Sequence, residues 1–460
     1  MEKTDEKKDS GVQKKAGNVE VSLTRFHKFS TKTMLPYDII DSEIEMYLTT
    51  ERLNVIVLDD KDYLYIGGYY RFDEGGKIIK AYIRELIYPE LATASRIDRV
   101  YKLMIMDYRL MKTDKEVNAY PKHWINFQNG MLDVKTLEMH AHDPKYLSIN
   151  QIPYEYIWNA KYEGSWTDKF IKGLVPDEQD RKMLLEYSAY CWTLDTHFQK
   201  FLTFVGLPGS GKSTVINLIV RVTGEENTCG ITLQNLNERF YPTRLHNKLL
   251  NACGDLPKTA LKQTDTIKKL TGEDIIVGEY KGVDSFDFYS YAKLLFSANE
   301  MPVNLDEKSD AFYRRLLIIE IKKKGEYIPD LDKKLSDPYE IQGFICACVE
   351  TLSRLYASGG EMDSPNSKKF VHEYHRESDS VMSFMEDQTE VKPGGRIERK
   401  LLYDAYVNYC IKNGWTDVSN KTFFSNLRGK GYSEVKVNGI MYFKNVCVKI
   451  APLICPQIAP

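Results

Sequence analysis

Long apolar runs are missing from this chain of 460 residues; none approaches the roughly 18 needed to cross a bilayer. The first twenty residues are dense in charge, so no secretory leader is expected. Histidine is scarce, with 8 in the whole chain. The 8 cysteines (Cys191, Cys229, Cys253, Cys346, Cys348, Cys410, Cys447 and Cys455) are scattered, and none forms a Cys-x-x-Cys pair. That pattern argues against a zinc site and for thiols kept in a reducing cytoplasm. Cys346 and Cys348 fall in an apolar helical run and read as packing residues. Neither sign of charge dominates, the formal net charge being −2.

What is present is apolar material for real cores, 43% of the residues, in a length that suggests two to four domains. Charge is unevenly spread. From Val391 to Ile450 there are 11 Lys and Arg against 4 Asp and Glu, a net of +7, which leaves −9 for the remainder. A basic end on an acidic body is the asymmetry expected when one module meets phosphate.

The chain divides by pattern. Residues 1–20 lack bulky apolar periodicity and read as a disordered tail. Residues 21–155 read as a mixed α/β module, with strands around Gly67-Gly68, an amphipathic helix over Lys80–Ile87, and a hairpin signal at Asn129-Gly130. No catalytic cluster is legible there, and no acidic pair of the kind a primase centre needs. Residues 156–195 are expected to be helical, with Asp180–Trp192 at helix spacing. Strands and helices alternate over 196–330, the signature of a phosphate-binding α/β core. A helical segment follows over 331–375, with a helix from Glu340 to Tyr356 and a loop over Ala357–Pro365. A separate small domain is expected over 376–460. In it a helix over Ile397–Lys412 and a second, capped by Ser419 and running Lys421–Arg428, precede a hairpin turning at Asn438-Gly439. Helix, helix, hairpin is a winged-helix arrangement.

One motif names a ligand. Gly206-Leu-Pro208-Gly209-Ser210-Gly211-Lys212-Ser213 fits G-x-x-x-x-G-K-[ST], between a β-prone run (Phe201–Val205) and a helical one that starts at Thr214. Backbone N–H groups of such a loop and the positive end of its helix hold phosphates. Lys212 is expected at the β- and γ-phosphates, and Ser213 at Mg²⁺. ATP and Mg²⁺ are the implied ligands. A hydrolytic site also needs a carboxylate at a neighbouring strand end. Lys248–Asp255 is such a strand, with Asp255 as metal and water ligand; Gly254 stands where a second acid is usual. Asn299 ends the next strand and is expected to position the attacking water. Arg315, next to Arg314 and just before a buried strand, is expected to reach the γ-phosphate of a neighbouring subunit. Between the Asp255 and Asn299 strands, a hairpin with its tip at Lys281-Gly282 is placed to grip a nucleic-acid backbone. Lys421, Arg428 and Lys430 would supply charge to a recognition helix.

This ordered set resembles the superfamily three helicases, and more narrowly the group of the poxvirus primase-helicase and the helicase parts of phage and plasmid primases. The residues that carry the likeness are Gly206–Ser213, Gly254–Pro257, the block from Thr271 to Asn299, and Arg314-Arg315. Ile125–Asp133 and Ile152–Tyr156 are similar to the amino-terminal module of that group. The resemblance implies an AAA+ core with a helical collar. It implies a ring, usually a homo-hexamer, translocating 3′→5′ on single-stranded DNA, with a finger arginine supplied in trans. With no primase centre in the chain, priming would come from a separate primase. The basic end would recognise origin duplex DNA for a phage, plasmid or mobile element. Two other readings stay open: an AAA+ ATPase that remodels or loads a protein, and an origin-binding initiator whose ATPase serves only as an assembly switch. No membrane partner is expected.

Overall fold

The structure, a computed structural model, describes residues 22–282, 284–304, 310–322 and 328–449. The expected tail over 1–20 and Cys455 lie outside these residues. Phe201–Gly206 is apolar nearly throughout, as a strand covered on both faces requires. It lies inside a parallel sheet whose spatial order is Thr228–Cys229, Leu250–Cys253, Lys293–Ala298, Phe201–Gly206, Leu316–Ile321. Alternate residues feed two cores. Leu202 and Phe204 pack on one face with Val215, Leu218 and Ile219 of the Lys212–Thr223 helix, while Phe201 and Val205 pack on the other with Leu236, Leu245 and Ile267.

Register fixes what the strand ends share. Val205 lies opposite Ala298, Cys253 opposite Phe296, and Gly206 opposite Ile321. Gly206, Asp255 and Asn299 therefore meet at the carboxyl edge of one sheet. Arg314 and Arg315 precede Leu316, which pairs with Phe201, so they sit at the opposite edge. The intervening strand is 6 residues long, a span of about 17 Å at the usual rise of about 3.3 Å.

The Glu178–Tyr190 helix begins at Asp177, whose carboxylate accepts the N–H groups of Gln179 and Asp180 at 2.9 and 3.0 Å. It packs against the Pro338–Ser358 helix, and the Tyr187 hydroxyl donates to the Leu294 carbonyl at 2.7 Å, tying it to the sheet. Residues 156–165 contain no helix, so the helical part of the expected 156–195 segment begins at Trp166. The next helix, Pro365–Ser378, packs on the Leu316–Ile321 strand and runs across the boundary expected at 375.

The amino-terminal region is α/β. Its sheet runs Tyr69–Phe72, Lys61–Ile66, Val55–Leu58, Met111–Lys112, and the hairpin turns on Gly67 and Gly68, both at positive φ. The helix expected over Lys80–Ile87 is Lys77–Glu85. It starts earlier because buried Asp73 accepts the N–H groups of Ile78 and Ile79 at 2.9 Å. The Trp124–Phe127 and Gly130–Asp133 hairpin is where its Asn-Gly pair predicts it.

The carboxy-terminal unit runs helix Ser380–Gln388, strand Thr389–Glu398, helices Arg399–Asn413 and Asn420–Gly429, and hairpin strands Glu434–Val437 and Ile440–Val448. Ser419 caps the second of these helices, accepting from Thr422 N–H at 3.2 Å. Asn438 and Gly439 both have positive φ, the left-handed pair a tight hairpin turn needs. Ile397 belongs to a strand rather than to the helix expected there. That strand pairs with Ile440–Val448, and its Pro393-Gly394-Gly395 bulge hides it from pattern reading. No described helix is long and apolar enough to cross a membrane.

Candidate nucleotide site and its surroundings

The Phe201–Gly206 strand delivers its chain end into a loop that only small residues can follow. A Cβ at Gly206 would run into the Ile321 carbonyl oxygen of the adjacent strand. Gly209 and Gly211 have φ values of 71° and 101°, which glycine adopts without the penalty a side chain brings. A Cβ at Gly211 would also come within 3.0 Å of Leu174. Helix Lys212–Thr223 then begins with no side-chain cap, leaving its first N–H groups directed at the loop. Open N–H donors and a helix dipole at one point are what an anion site requires. Pro208 and Ser213 are exposed, Thr214 half-buried, and Ser210 buried, its hydroxyl without a partner among the described residues.

Lys212 is 4% exposed. Its Nζ donates to the carbonyls of Gly206 (2.6 Å) and Leu207 (2.9 Å) and to Asn299 Oδ1 (3.1 Å). Burial lowers its pKa, and the Asp255 carboxylate pulls in the opposite direction. Two residues read separately from the sequence are thus joined at one point. Asp255 is exposed, holds φ at 51°, and donates its backbone N–H to Ser297 Oγ at 3.2 Å. At Gly254 an added Cβ would meet nothing nearer than Ser297 Oγ at 3.6 Å. Space does not explain the missing second acid. Ser213 and Asp255 carry the oxygen atoms in this group that could hold Mg²⁺. A cavity of about 590 Å³ opens beside Gly206, Leu207 and Asn299, with Phe370 and Tyr374 in its wall.

At the far edge the two arginines differ. Arg314 is exposed. Arg315 is 8% exposed and donates Nη1–H to the Ala311 carbonyl at 2.6 Å. Lys281 sits at the exposed tip joining strands Ile275–Gly278 and Phe286–Tyr289, with Gly282 at φ 80°. Tyr280 stacks on Phe286 at its base. In the carboxy-terminal unit, Arg428 pairs with Glu434 at 3.3 Å and Lys430 with buried Asp379 at 3.2 Å. Lys421 is exposed and forms no ion pair among the described residues.

One group was invisible in the sequence. Asp59, Asp114 and His246 bring their ligand atoms within 4.8 Å of one another. They lie 55 and 132 positions apart along the chain, so no spacing rule joins them. Burial, then the neighbouring Asp114, raises the pKa of Asp59.

Together these features define an α/β chain with a glycine-rich loop at a helix start, a carboxylate and an amide at the carboxyl edge of one parallel sheet. Residues 45–205 match the family described as D5 N terminal like, and residues 204–315 match a family of unknown function, DUF5906. Among solved structures, the A form apo structure of the NrS-1 C terminal region matches with a TM-score of 0.50 and 13% identity, over 87% of this chain and 98% of that one. A second structure of that region, spanning its residues 305–718, matches with a TM-score of 0.49 and 14% identity over 88% and 99%. At 13% identity the first of these likenesses is one of fold alone.

Proposed function

We propose that this chain is an ATP-dependent DNA helicase and replication initiator of the AAA+ type, working as a ring on single-stranded DNA with 3′→5′ polarity. The observation that carries the reading is the convergence at one sheet edge: the glycine loop, Lys212, Asp255 and Asn299 meet where a nucleotide's phosphates would lie. The D5 N terminal like match upstream supports a replication role of the phage primase-helicase kind. Lys212 would exchange its carbonyl partners for the β- and γ-phosphates. Ser213 and Asp255 would hold Mg²⁺, which neutralises phosphate charge when bound. Asn299, released from Lys212, would orient the attacking water.

The arginines at the opposite edge are too far to serve their own loop and would serve a neighbour's. Between them, exposure favours Arg314 over the Arg315 first expected, because Arg315 is folded onto its own chain. The Lys281 hairpin would follow single-stranded DNA in the channel. The carboxy-terminal unit, with its helix, strand, two helices and hairpin, would read origin duplex as a winged helix. The decisive experiment measures ATP turnover with and without single-stranded DNA, and molecular mass in each nucleotide state. Turnover stimulated by DNA in a multi-copy assembly is expected. Turnover indifferent to DNA would favour a protein-remodelling ATPase, and no turnover would remove the reading.

A further inference from the structure

A seam runs between the region matched as D5 N terminal like and the sheet that carries the glycine loop. Polar side chains join it: Asn150 Nδ2 donates to Asn227 Oδ1 and to the Asn247 carbonyl, each at 3.0 Å. A cavity of about 650 Å³ opens along it, with Lys61, Tyr63, Arg244 and Tyr280 in its wall. At one side of that cavity lies His246.

His246 is addressed by carboxylates from both ring nitrogens. Nε2 lies 2.8 Å from Asp114 Oδ2, and Nδ1 lies 3.6 Å from Asp59 Oδ2. Its side chain is 6% exposed and packs against Phe286 and Phe288. Lys61 is the cation that acts on Asp59, and the second oxygen of Asp114 is buried and has no partner among the described residues. Asp59 reaches the ring from the turn between strands Val55–Leu58 and Lys61–Ile66, a turn held at φ 50°.

Two distances separate the roles. At 2.8 Å, Nε2 is in hydrogen-bond reach of Asp114, and the tautomer that donates there carries its lone pair on Nδ1. At 3.6 Å, the gap from Nδ1 to Asp59 is long for a hydrogen bond. A metal ion with legs of about 2.1 Å would span it at an angle of about 118°, near tetrahedral. Carboxylate, imidazole, metal is the order in which an outer acid orients a histidine ligand. An imidazole with carboxylate oxygen suits a borderline divalent ion such as zinc or cobalt. The sequence argument against zinc rested on Cys and His spacing, and ligands from three distant segments carry no spacing.

We propose that Asp59 and His246 ligate one divalent transition-metal ion, that Asp114 holds the imidazole from its far nitrogen, and that the remaining coordination positions open to the seam cavity. The ion would fasten the two matched regions to each other, because Asp59 and Asp114 come from one and His246 from the other. This site is independent of the nucleotide loop.

The test uses the full chain, stripped of metal by chelation and titrated with Co²⁺ without nucleotide or Mg²⁺. One Co²⁺ per chain is expected, with visible absorption bands of a four-coordinate ion and a rise in Tm. Asp59→Asn keeps the turn, since asparagine tolerates left-handed backbone, and should weaken uptake at least 100-fold and abolish the rise in Tm. His246→Gln should do the same. Asp114→Asn should weaken uptake by about 10- to 100-fold, and Lys212→Ala should leave it unchanged. If the unaltered chain takes up no Co²⁺ at micromolar concentration, His246 is a plain charge clamp between two acids and the site does not exist. If Asp59→Asn binds as tightly as the unaltered chain, the ligand assignment is overturned.

Discussion

Lys212 lies folded onto its own loop, hydrogen-bonded to two carbonyls and to Asn299. Its role on phosphate is electrostatic, so Lys212→Ala should lower ATP turnover by about 10²- to 10³-fold, the loss typical of a removed charge-stabilising donor. The helix it begins is held by Val215, Leu218 and Ile219 in the core, so Tm should change little. Steady-state turnover and a thermal melt decide; near-normal turnover in a folded variant would undo the loop assignment. A second residue gives a pH signature. Glu186 is 1% exposed, and burial pushes its pKa up to about 7, against a smaller opposing pull from Lys182. A carboxyl raised in the folded state takes up protons on folding between its ordinary value near 4.5 and about 7. Its contribution is therefore full below about pH 4.5 and is lost as pH rises through about 7, a swing of a few kcal/mol. Glu186→Gln should flatten that fall in Tm between pH 5 and 8. Identical slopes for the two proteins would contradict it.

At the scale of elements, the hairpin carrying Lys281 and the helix carrying Lys421 make separate predictions. The Lys281 tip is built on strands outside the parallel sheet. Lys281→Ala should keep basal turnover and lose its stimulation by single-stranded DNA; a loss of basal turnover alone would place the tip in the wrong role. On the Asn420–Gly429 helix, Lys421 has no acidic partner among the described residues, whereas Arg428 is already paired with Glu434. Lys421→Ala should weaken duplex binding and reduce the salt dependence by about one unit of slope, and Arg428→Ala should do less. Fluorescence anisotropy at several salt concentrations measures both, and equal effects would show that the ion pair does not matter. Elements such as these were readable because their signals are local: Asn438-Gly439, the Ser419 cap and the glycine loop each act through neighbouring residues. The strand Thr389–Glu398 was not readable, because a Pro-Gly-Gly interruption breaks its alternation and its pairing partner lies some fifty residues later. The Lys77–Glu85 helix was placed late because its cap, Asp73, acts across a Gly-Gly step.

In the whole molecule, what the sequence could not show is what long-range register creates. The meeting of Gly206, Asp255 and Asn299 was legible from motif order. The contact between Lys212 and Asn299, the burial that separates Arg315 from Arg314, and the grouping of Asp59, Asp114 and His246 were not, since each depends on segments brought together by the fold. Arg314→Ala should keep nucleotide affinity and lose turnover; mixing it with Lys212→Ala chains should restore part of that turnover, and a mixture as inactive as its components would sink the trans arrangement. Arg315→Ala should instead lower Tm, having lost the bond to Ala311. The placement of loop and arginines on opposite edges of one sheet also has an arithmetic. A two-fold pair uses the same patch on both copies, so it joins arginine to loop only where one patch carries both edges. Copies stacked head to tail complete one site fewer than their number while the file is open. Only closure adds the last, so turnover per chain should climb with concentration towards a plateau whose onset marks the shut circle.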